Sequence, residues 1–360
     1  MRFEINSEDT TFPRRRLLEN EFPISNFQFP KNFQLPISKM EEAIRNFHTQ
    51  FSWKPVIVHK EKLPFAKEYI VVGMGGSHLS ADLIKTYDPN LDIGVYSDYG
   101  LPPVSPRRLR ESLLIASSYS GNTEEPIDFL RIAKKKGYGV AAMGIGGTLI
   151  ELSRRYRIPH VVIPDTKIQP RSALGFSMSA LATLMRHTRL ASELRSLATV
   201  LTPDLLEREG KKLAKKLKNS VPVIYASAGN RAVAYNWKIK FNETGKIPAF
   251  YNVFPELNHN EMTGFDLIPS TTKLSSAFHF IFLTDTADHP KNQKRMAVCK
   301  KLYEKHGLPV TQVALQGKTA LERMFHSLLV ADWTALHLSK MYRTEAEQVP
   351  MVEEFKKLIA

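Results

Sequence analysis

Five short, largely apolar runs lie between residues 68 and 163, at 68–72, 93–96, 113–116, 139–143 and 160–163, and several end in glycine or small hydroxyl residues. Runs of four or five apolar residues bounded by turn residues read as buried strands. Helix-like stretches at 78–85 and 127–136 separate them. Strands alternating with helices predict a parallel sheet covered on both faces. The pattern then recurs. Pro222-Val-Ile-Tyr-Ala-Ser-Ala-Gly-Asn-Arg231 repeats the order of residues 68–77, a strand, small residues and glycine, and then a helix over 232–242. Further strands at 278–283 and 310–315 are each followed by a helix, at 291–306 and 320–341. At 360 residues the chain is long enough for two domains of ordinary size, each with its own core. Two α/β domains of one design, paired so that both sets of strand ends face a cleft, are the expectation.

Around these units the pattern predicts a first helix from Ser38 to about residue 51 and a long helical stretch over 172–201. The new unit opens after Pro203. Residues 1–38, with prolines at 13, 23, 30 and 36 and an Arg14-Arg-Arg16 cluster, have no sustained period and read as an irregular arm.

Composition removes several classes of function. A single cysteine, Cys299, leaves no disulfide framework and no thiolate zinc cluster, and it reads as a core residue in a reducing compartment. The first residues lack the apolar core of a signal peptide, and no run approaches the roughly 18 apolar residues of a spanning helix. A cytoplasmic protein without a membrane partner follows. The formal net charge of +14 raises nucleic acid as a partner, but its densest stretch, Lys211-Lys-Leu-Ala-Lys-Lys-Leu-Lys218, spaces Leu213 and Leu217 as the buried stripe of a surface helix. No helix-turn-helix, zinc finger or aromatic RNA-binding signature accompanies it, so no nucleic acid is expected.

The stretch 113–126 is the most informative chemically. An apolar strand runs into Ser117, Ser118, Ser120, Gly121 and Thr123, with Asn122, Glu125 and Pro126 as helix-start signals. Hydroxyls and free amides converging on the positive end of a helix form a cradle for a phosphate. The same hydroxyls serve equally well as caps of backbone groups. Glu124 and Glu125 oppose an anion unless they point outward. Gly73-Met-Gly-Gly-Ser77 resembles a dinucleotide turn but carries His78 where the third glycine belongs, and Asp98 lies in an Asp-Tyr-Gly turn instead of at a strand tip. A glycine turn touching a sugar hydroxyl fits better, and no nucleotide cofactor is expected. Of the histidines, only His279 and His289 invite comparison with a metal pair, and they fall on different elements, so no metal is expected. No Gly-x-Ser-x-Gly elbow presents a nucleophile. The loops 241–246 and 254–262 bring Glu243, Glu256, His259 and Glu261 close in sequence. They read as acid–base groups or as a polar connection.

Six motifs in order carry a resemblance: Met74-Gly-Gly-Ser77, Ser118-Tyr-Ser-Gly-Asn-Thr123, Pro170-Arg171-Ser, Phe241-Asn-Glu-Thr-Gly-Lys246, Pro255-Glu-Leu-Asn-His-Asn260, and Pro350 with Lys356. From about residue 40 to the end, the chain resembles the bifunctional phosphoglucose/phosphomannose isomerases, members of the sugar isomerase (SIS) group. The resemblance implies two SIS-type parallel-sheet α/β sandwich domains related by duplication, at 39–202 and 203–345, with 346–360 closing the active site. It implies a metal-independent aldose–ketose isomerase that converts glucose-6-phosphate and mannose-6-phosphate to fructose-6-phosphate through a cis-enediolate. Ser118, Ser120 and Thr123 then hold the phosphate, with Gly75, Gly76 and Ser77 on the sugar. Glu243 is the base and Arg171 the cation that stabilises the enediolate. His259, supplied by the neighbouring subunit of a homodimer, opens the sugar ring with Lys356. His78 and Met351 depart from the family pattern. Two alternatives stand beside this reading: a sugar-phosphate sensor without chemistry, and an SIS isomerase of another sugar phosphate.

Overall fold

The computed structural model describes residues 38–266 and 268–359; of the N-terminal arm expected at 1–38, all but Ser38 lies outside the described residues. Ser38 caps the first helix, α1 (Lys39–Arg45), by accepting from Glu41 N at 3.2 Å. The helix predicted to run to residue 51 stops at Asn46 and continues as a 3-10 helix, Phe47–Ser52.

Six strands build the first sheet: β1 (Ile57–Val58), β2 (Glu68–Val72), β3 (Ile93–Tyr96), β4 (Ser112–Ser117), β5 (Val140–Gly144) and β6 (His160–Val162). Their order is β1-β6-β5-β4-β2-β3, parallel except for the antiparallel β1–β6 edge. The helices α2 (Leu79–Tyr87), α3 (Pro106–Glu111), α4 (Glu124–Lys135) and α5 (Gly147–Arg155) intervene along the chain. Side chains alternate across a strand, so an unbroken apolar run must be covered on both sides. Ile70, Val72, Leu114 and Ala116 pack with Phe129, Leu130 and Leu149. Tyr69, Val71, Leu113 and Ile115 pack on the other side with Leu79, Leu83 and Ile84.

The long helical stretch expected over 172–201 consists of two helices, α6 (Leu174–Leu184) and α7 (Thr188–Val200). Arg186 adopts a left-handed conformation, φ 54°, and the His187 side chain caps α7 by accepting from Leu190 N at 3.2 Å. A capped turn competes successfully with a continued helix.

The second half opens with α8 (Pro203–Leu217), whose lysines face solvent. Its sheet is wholly parallel, ordered β10-β9-β7-β8, from β7 (Val221–Ser227), β8 (Phe250–Phe254), β9 (Phe278–Thr284) and β10 (Val310–Ala314). The helices are α9 (Arg231–Glu243), the short α10 (Thr272–Ser275), α11 (Pro290–Lys305), α12 (Ala320–Tyr342) and α13 (Pro350–Ile359). Sequence periodicity missed β1, β8, α3, α5, α10 and α13. Tyr225, Phe280 and Phe282 pack with Phe254, Met296, Cys299 and Tyr303, so Cys299 is the core residue expected. On the opposite face Ile224 and Ile281 join a cluster that includes Val71 and Ile115 of the first sheet and Phe325, Leu329 and Trp333 of α12. Helix α12 thus holds the two sheets to one interior. It meets α8 closely: a Cβ on Gly210 would lie 2.4 Å from Trp333 Cβ. No helix among the described residues is long and apolar enough to cross a membrane.

Candidate active site

The hydroxyl-rich turn follows directly from β4. Buried Ser118 donates to Thr123 Oγ1 at 2.9 Å, and its own oxygen accepts from Gly121 N at 3.0 Å and more weakly from Thr123 N at 3.4 Å. Ser120 is exposed and accepts from Asn122 N at 3.2 Å. Gly121 has φ 77°, and a Cβ there would fall 1.7 Å from Gly146 O, so the turn requires glycine. Helix α4 starts one residue later than the expected Asn122 cap: Thr123 precedes it, and Asn122 Oδ1 instead accepts from Thr148 N at 3.1 Å. Glu124 points away from the turn and accepts from Tyr99 Oη at 3.0 Å. The N-terminus of α4 adjoins the hydroxyls, with Glu125 as the second carboxylate of its first turn.

A 3-10 turn, Gly75–Ser77, lies against this cradle. Ser117 Oγ donates to Ser77 O at 2.6 Å, and Tyr119 N donates to Ser77 Oγ at 2.9 Å. On its other side, Gly76 is so close to a second 3-10 turn, Pro170–Ser172, that a Cβ would meet Pro170 Cβ at 2.8 Å and Arg171 N at 3.1 Å. Arg171 is thus set beside the glycine turn by backbone contact. Beyond the turn, His78 holds Asp82 at 2.7 Å and stacks on Tyr235, beside a cavity of about 680 Å³ that Ser97, Arg231 and Tyr251 also line.

Arg171 is 2% exposed, and all its donor nitrogens are engaged. Nε donates to Thr244 Oγ1 at 2.9 Å, Nη1 to Glu243 Oε2 at 3.0 Å, and Nη2 to the carbonyls of Ala346 and Glu347 at 2.8 and 3.0 Å. Burial pulls its pKa below the usual arginine value, against the opposing fields of Glu243 and Asp332. Glu243, the last residue of α9, keeps 35% of its side chain exposed. A carboxylate about one-third exposed and anchored by a buried guanidinium has the access and the fixed position that proton transfer requires of a side chain. One turn earlier on α9, Lys240 forms a buried ion pair with Asp332 of α12 at 2.6 Å. Thr244, Lys240, Asp332 and Lys246 were not singled out from sequence, although Thr244 and Lys246 belong to the Phe241–Lys246 motif.

His259 and Lys356 lie on other elements. His259 ends a 3-10 turn, Glu256–His259, and its exposed imidazole makes no hydrogen bond among the described residues. Its loop is anchored by Glu261, whose carboxylate accepts from Tyr225 Oη and Asn252 Nδ2. Lys356 lies on α13 and pairs with Glu353 at 2.8 Å. No residue of α13 is buried; Met351 is 83% exposed. Among the described residues neither His259 nor Lys356 hydrogen-bonds to or forms an ion pair with Arg171 or Glu243. His279 and His289 are engaged separately, with Thr311 Oγ1 at 2.9 Å and with Lys291 N at 3.1 Å. No group of three or more histidine, cysteine or carboxylate side chains placed for a metal ion occurs among the described residues.

The second half has a comparable turn after β9, filled differently. Asn230 Nδ2 donates to Asp285 and Asp288 at 3.4 and 3.2 Å, Ser227 donates to Asp288, and Arg323 pairs with Asp285 at 3.1 Å. Burial raises the pKa of the Asp288 carboxyl.

Residues 206–359 match the family described as bacterial phospho-glucose isomerase C-terminal SIS domain. A bifunctional phosphoglucose/phosphomannose isomerase of Caldicellulosiruptor bescii is 33% identical over 81% of this chain and 89% of its own length. One from Aquifex aeolicus is 28% identical over 89% of this chain and 98% of its own. Among solved structures, a tagatose-6-phosphate ketose/aldose isomerase from Escherichia coli superposes with a TM-score of 0.64 at 15% identity, over 86% of this chain and 94% of that one, a likeness of fold. Identity at this level over most of both sequences, with the two parallel sheets, shows that the chain belongs to the bifunctional phosphoglucose/phosphomannose isomerase family.

Proposed function

We propose that this chain interconverts glucose-6-phosphate and mannose-6-phosphate with fructose-6-phosphate. The observation that carries the reading is the Glu243 carboxylate held at 3.0 Å by buried Arg171, next to a glycine turn that is hydrogen-bonded to a hydroxyl cradle. The substrate phosphate sits on Ser118, Ser120, Thr123 and the N-terminus of α4. Gly75, Gly76 and Ser77 border the sugar. Glu243 takes the proton from carbon 2 of the open-chain aldose. The bonding pair moves into the carbon 1–carbon 2 bond and the carbonyl pair onto oxygen 1; the hydroxyl proton of oxygen 2 passes to oxygen 1, and as Glu243 returns its proton to carbon 1 the electron pair left on oxygen 2 forms the ketose carbonyl at carbon 2. A positioned base contributes typically about 10²–10⁴-fold. Arg171 stabilises the enediolate charge from a site closed to water, where a fixed cation acts most strongly. Glucose and mannose 6-phosphates differ only at carbon 2, so one enediolate serves both.

His259 of a neighbouring subunit opens the pyranose ring together with Lys356. That the exposed His259 imidazole makes no hydrogen bond to the Arg171–Glu243 pair among the described residues supports an active site shared across a homodimer. Residues 39–202 and 203–345 act as the two SIS-type domains, and 346–360 closes the site. The reaction proceeds without metal or nucleotide, in the cytoplasm.

Purified protein treated with a chelator should turn over both aldose phosphates in a coupled assay; no turnover of either refutes the reading. Glu243→Gln should abolish turnover while leaving substrate binding near normal, and a variant that retains full rate removes Glu243 from the base role. Heterodimers of Glu243→Gln and His259→Ala chains should regain activity.

A further inference from the structure

We propose that Lys246 is a positioning residue: it locks the strap 344–348, and with it the helix carrying Lys356, onto the end of α9 at Glu243. The proposal deepens the isomerase reading and rests on it for the role of Lys356.

Helix α9 closes with Thr244 N and Gly245 N both donating to Lys240 O, at 2.9 and 3.1 Å. Gly245 fits where a Cβ would approach Phe241 O at 2.8 Å. Lys246 then takes a left-handed conformation, φ 57°. That region is sparsely populated by residues other than glycine, and such a residue persists where its surroundings over-determine it. Here the surroundings are the site itself. The turn folds the Lys246 side chain back so that Nζ donates to Glu243 O at 2.6 Å and to Gln348 O.

The strap is held on the same side by Arg171. Three successive carbonyls, of Ala346, Glu347 and Gln348, face two cations: Arg171 Nη2 takes the first two and Lys246 Nζ the third. The strap amides of Glu347 and Gln348 donate to the Glu345 carboxylate, and Glu347 Oε1 accepts from Met40 N at 3.0 Å. The strap leaves α12 through Arg343, φ 54°, and leads into α13, which has no buried residue. Among the described residues the strap therefore sets where α13 begins, and Lys246 ties it to the residue that bears the base.

A lysine that merely completes a helix C-terminus would alter stability alone. Lys246→Met, Lys246→Arg and Glu345→Ala separate the two roles. Amide hydrogen exchange reads the lock without reference to activity: in Lys246→Met, exchange at 345–359 should accelerate by about tenfold or more, with Lys246→Arg near wild type. In steady-state kinetics Lys246→Met should lower kcat about tenfold while KM stays within about threefold, because the hydroxyl cradle is untouched. If Lys246→Met fails to fold, Glu345→Ala, at an exposed position, reads the same exchange. Unchanged exchange at 345–359 overturns the lock. Faster exchange with wild-type kcat overturns the positioning role. If the wild-type chain does not isomerise sugar phosphates, the functional reading fails, and the exchange result still decides whether Lys246 holds the strap.

Discussion

A single methyl group added at Gly76 tests whether the glycine turn and the Arg171–Glu243 pair form one mechanical unit. In Gly76→Ala the new carbon would stand 2.8 Å from Pro170 Cβ, 3.0 Å from Pro170 C and 3.1 Å from Arg171 N. Carbon atoms in contact prefer about 3.5–4.0 Å, so one turn must retreat from the other by about 0.7 Å. Both are anchored, the first through Ser77 to Ser117 and Tyr119, the second through Arg171 to Glu243, Thr244 and the strap carbonyls. Overpacking of this kind destabilises by about 1–3 kcal/mol. The larger effect falls on turnover. A displacement approaching 1 Å at a reacting group can lose about 10²-fold, or about 2.7 kcal/mol of transition-state stabilisation. Gly137→Ala, in the turn after α4 and outside the site, is the matched comparison: φ is 74°, and the added carbon meets open space. It should lose about 1–2 kcal/mol of stability through backbone strain, with a much smaller change in kcat/KM. Urea denaturation gives the stabilities and a coupled isomerase assay the rates. If Gly76→Ala keeps kcat/KM within about twofold of wild type, or Gly137→Ala loses as much, the mechanical link is refuted.

The buried pair Lys240–Asp332 invites a second perturbation. Asp332→Ala leaves a lysine buried without its counter-ion and should lose about 3–5 kcal/mol in urea denaturation, whereas Lys240→Met with Asp332→Leu should recover most of it; equal losses would show that the charges are not coupled. Stability should also fall in mild acid. Burial lowers the pKa of His160, His279 and His337 below the ordinary value of 6.5, so as pH drops past that value the unfolded chain takes up protons that the folded chain resists. The stabilising contribution is complete above that pH and is lost below it, and urea midpoints that do not rise from pH 5 to about 7 would contradict it.

The central strands were legible because β2, β4, β7 and β9 are covered on both faces, which forces unbroken apolar runs. The edge strands β1 and β8 carry mixed exposure and left no such run. The cradle was readable because its hydroxyls are contiguous. The break at Arg186 was not, since a left-handed arginine has no local signature comparable to glycine. The Arg171–Glu243 contact spans 72 positions, so only the folded chain displays it. The family likeness nominated both residues; it did not nominate Lys246 or Asp332, whose partners come from the strap and from α9.

The turn after β9 keeps the strand–turn–helix path of the cradle and reverses its charge. An anion approaching the first half meets hydroxyls and amides; in the second half it meets Asp285 and Asp288, one of them already paired with Arg323. Two sheets of one design thus carry unequal turns, one lined by hydroxyls and amides and the other by carboxylates, and on the proposed reading a phosphorylated ligand should occupy one seat per chain.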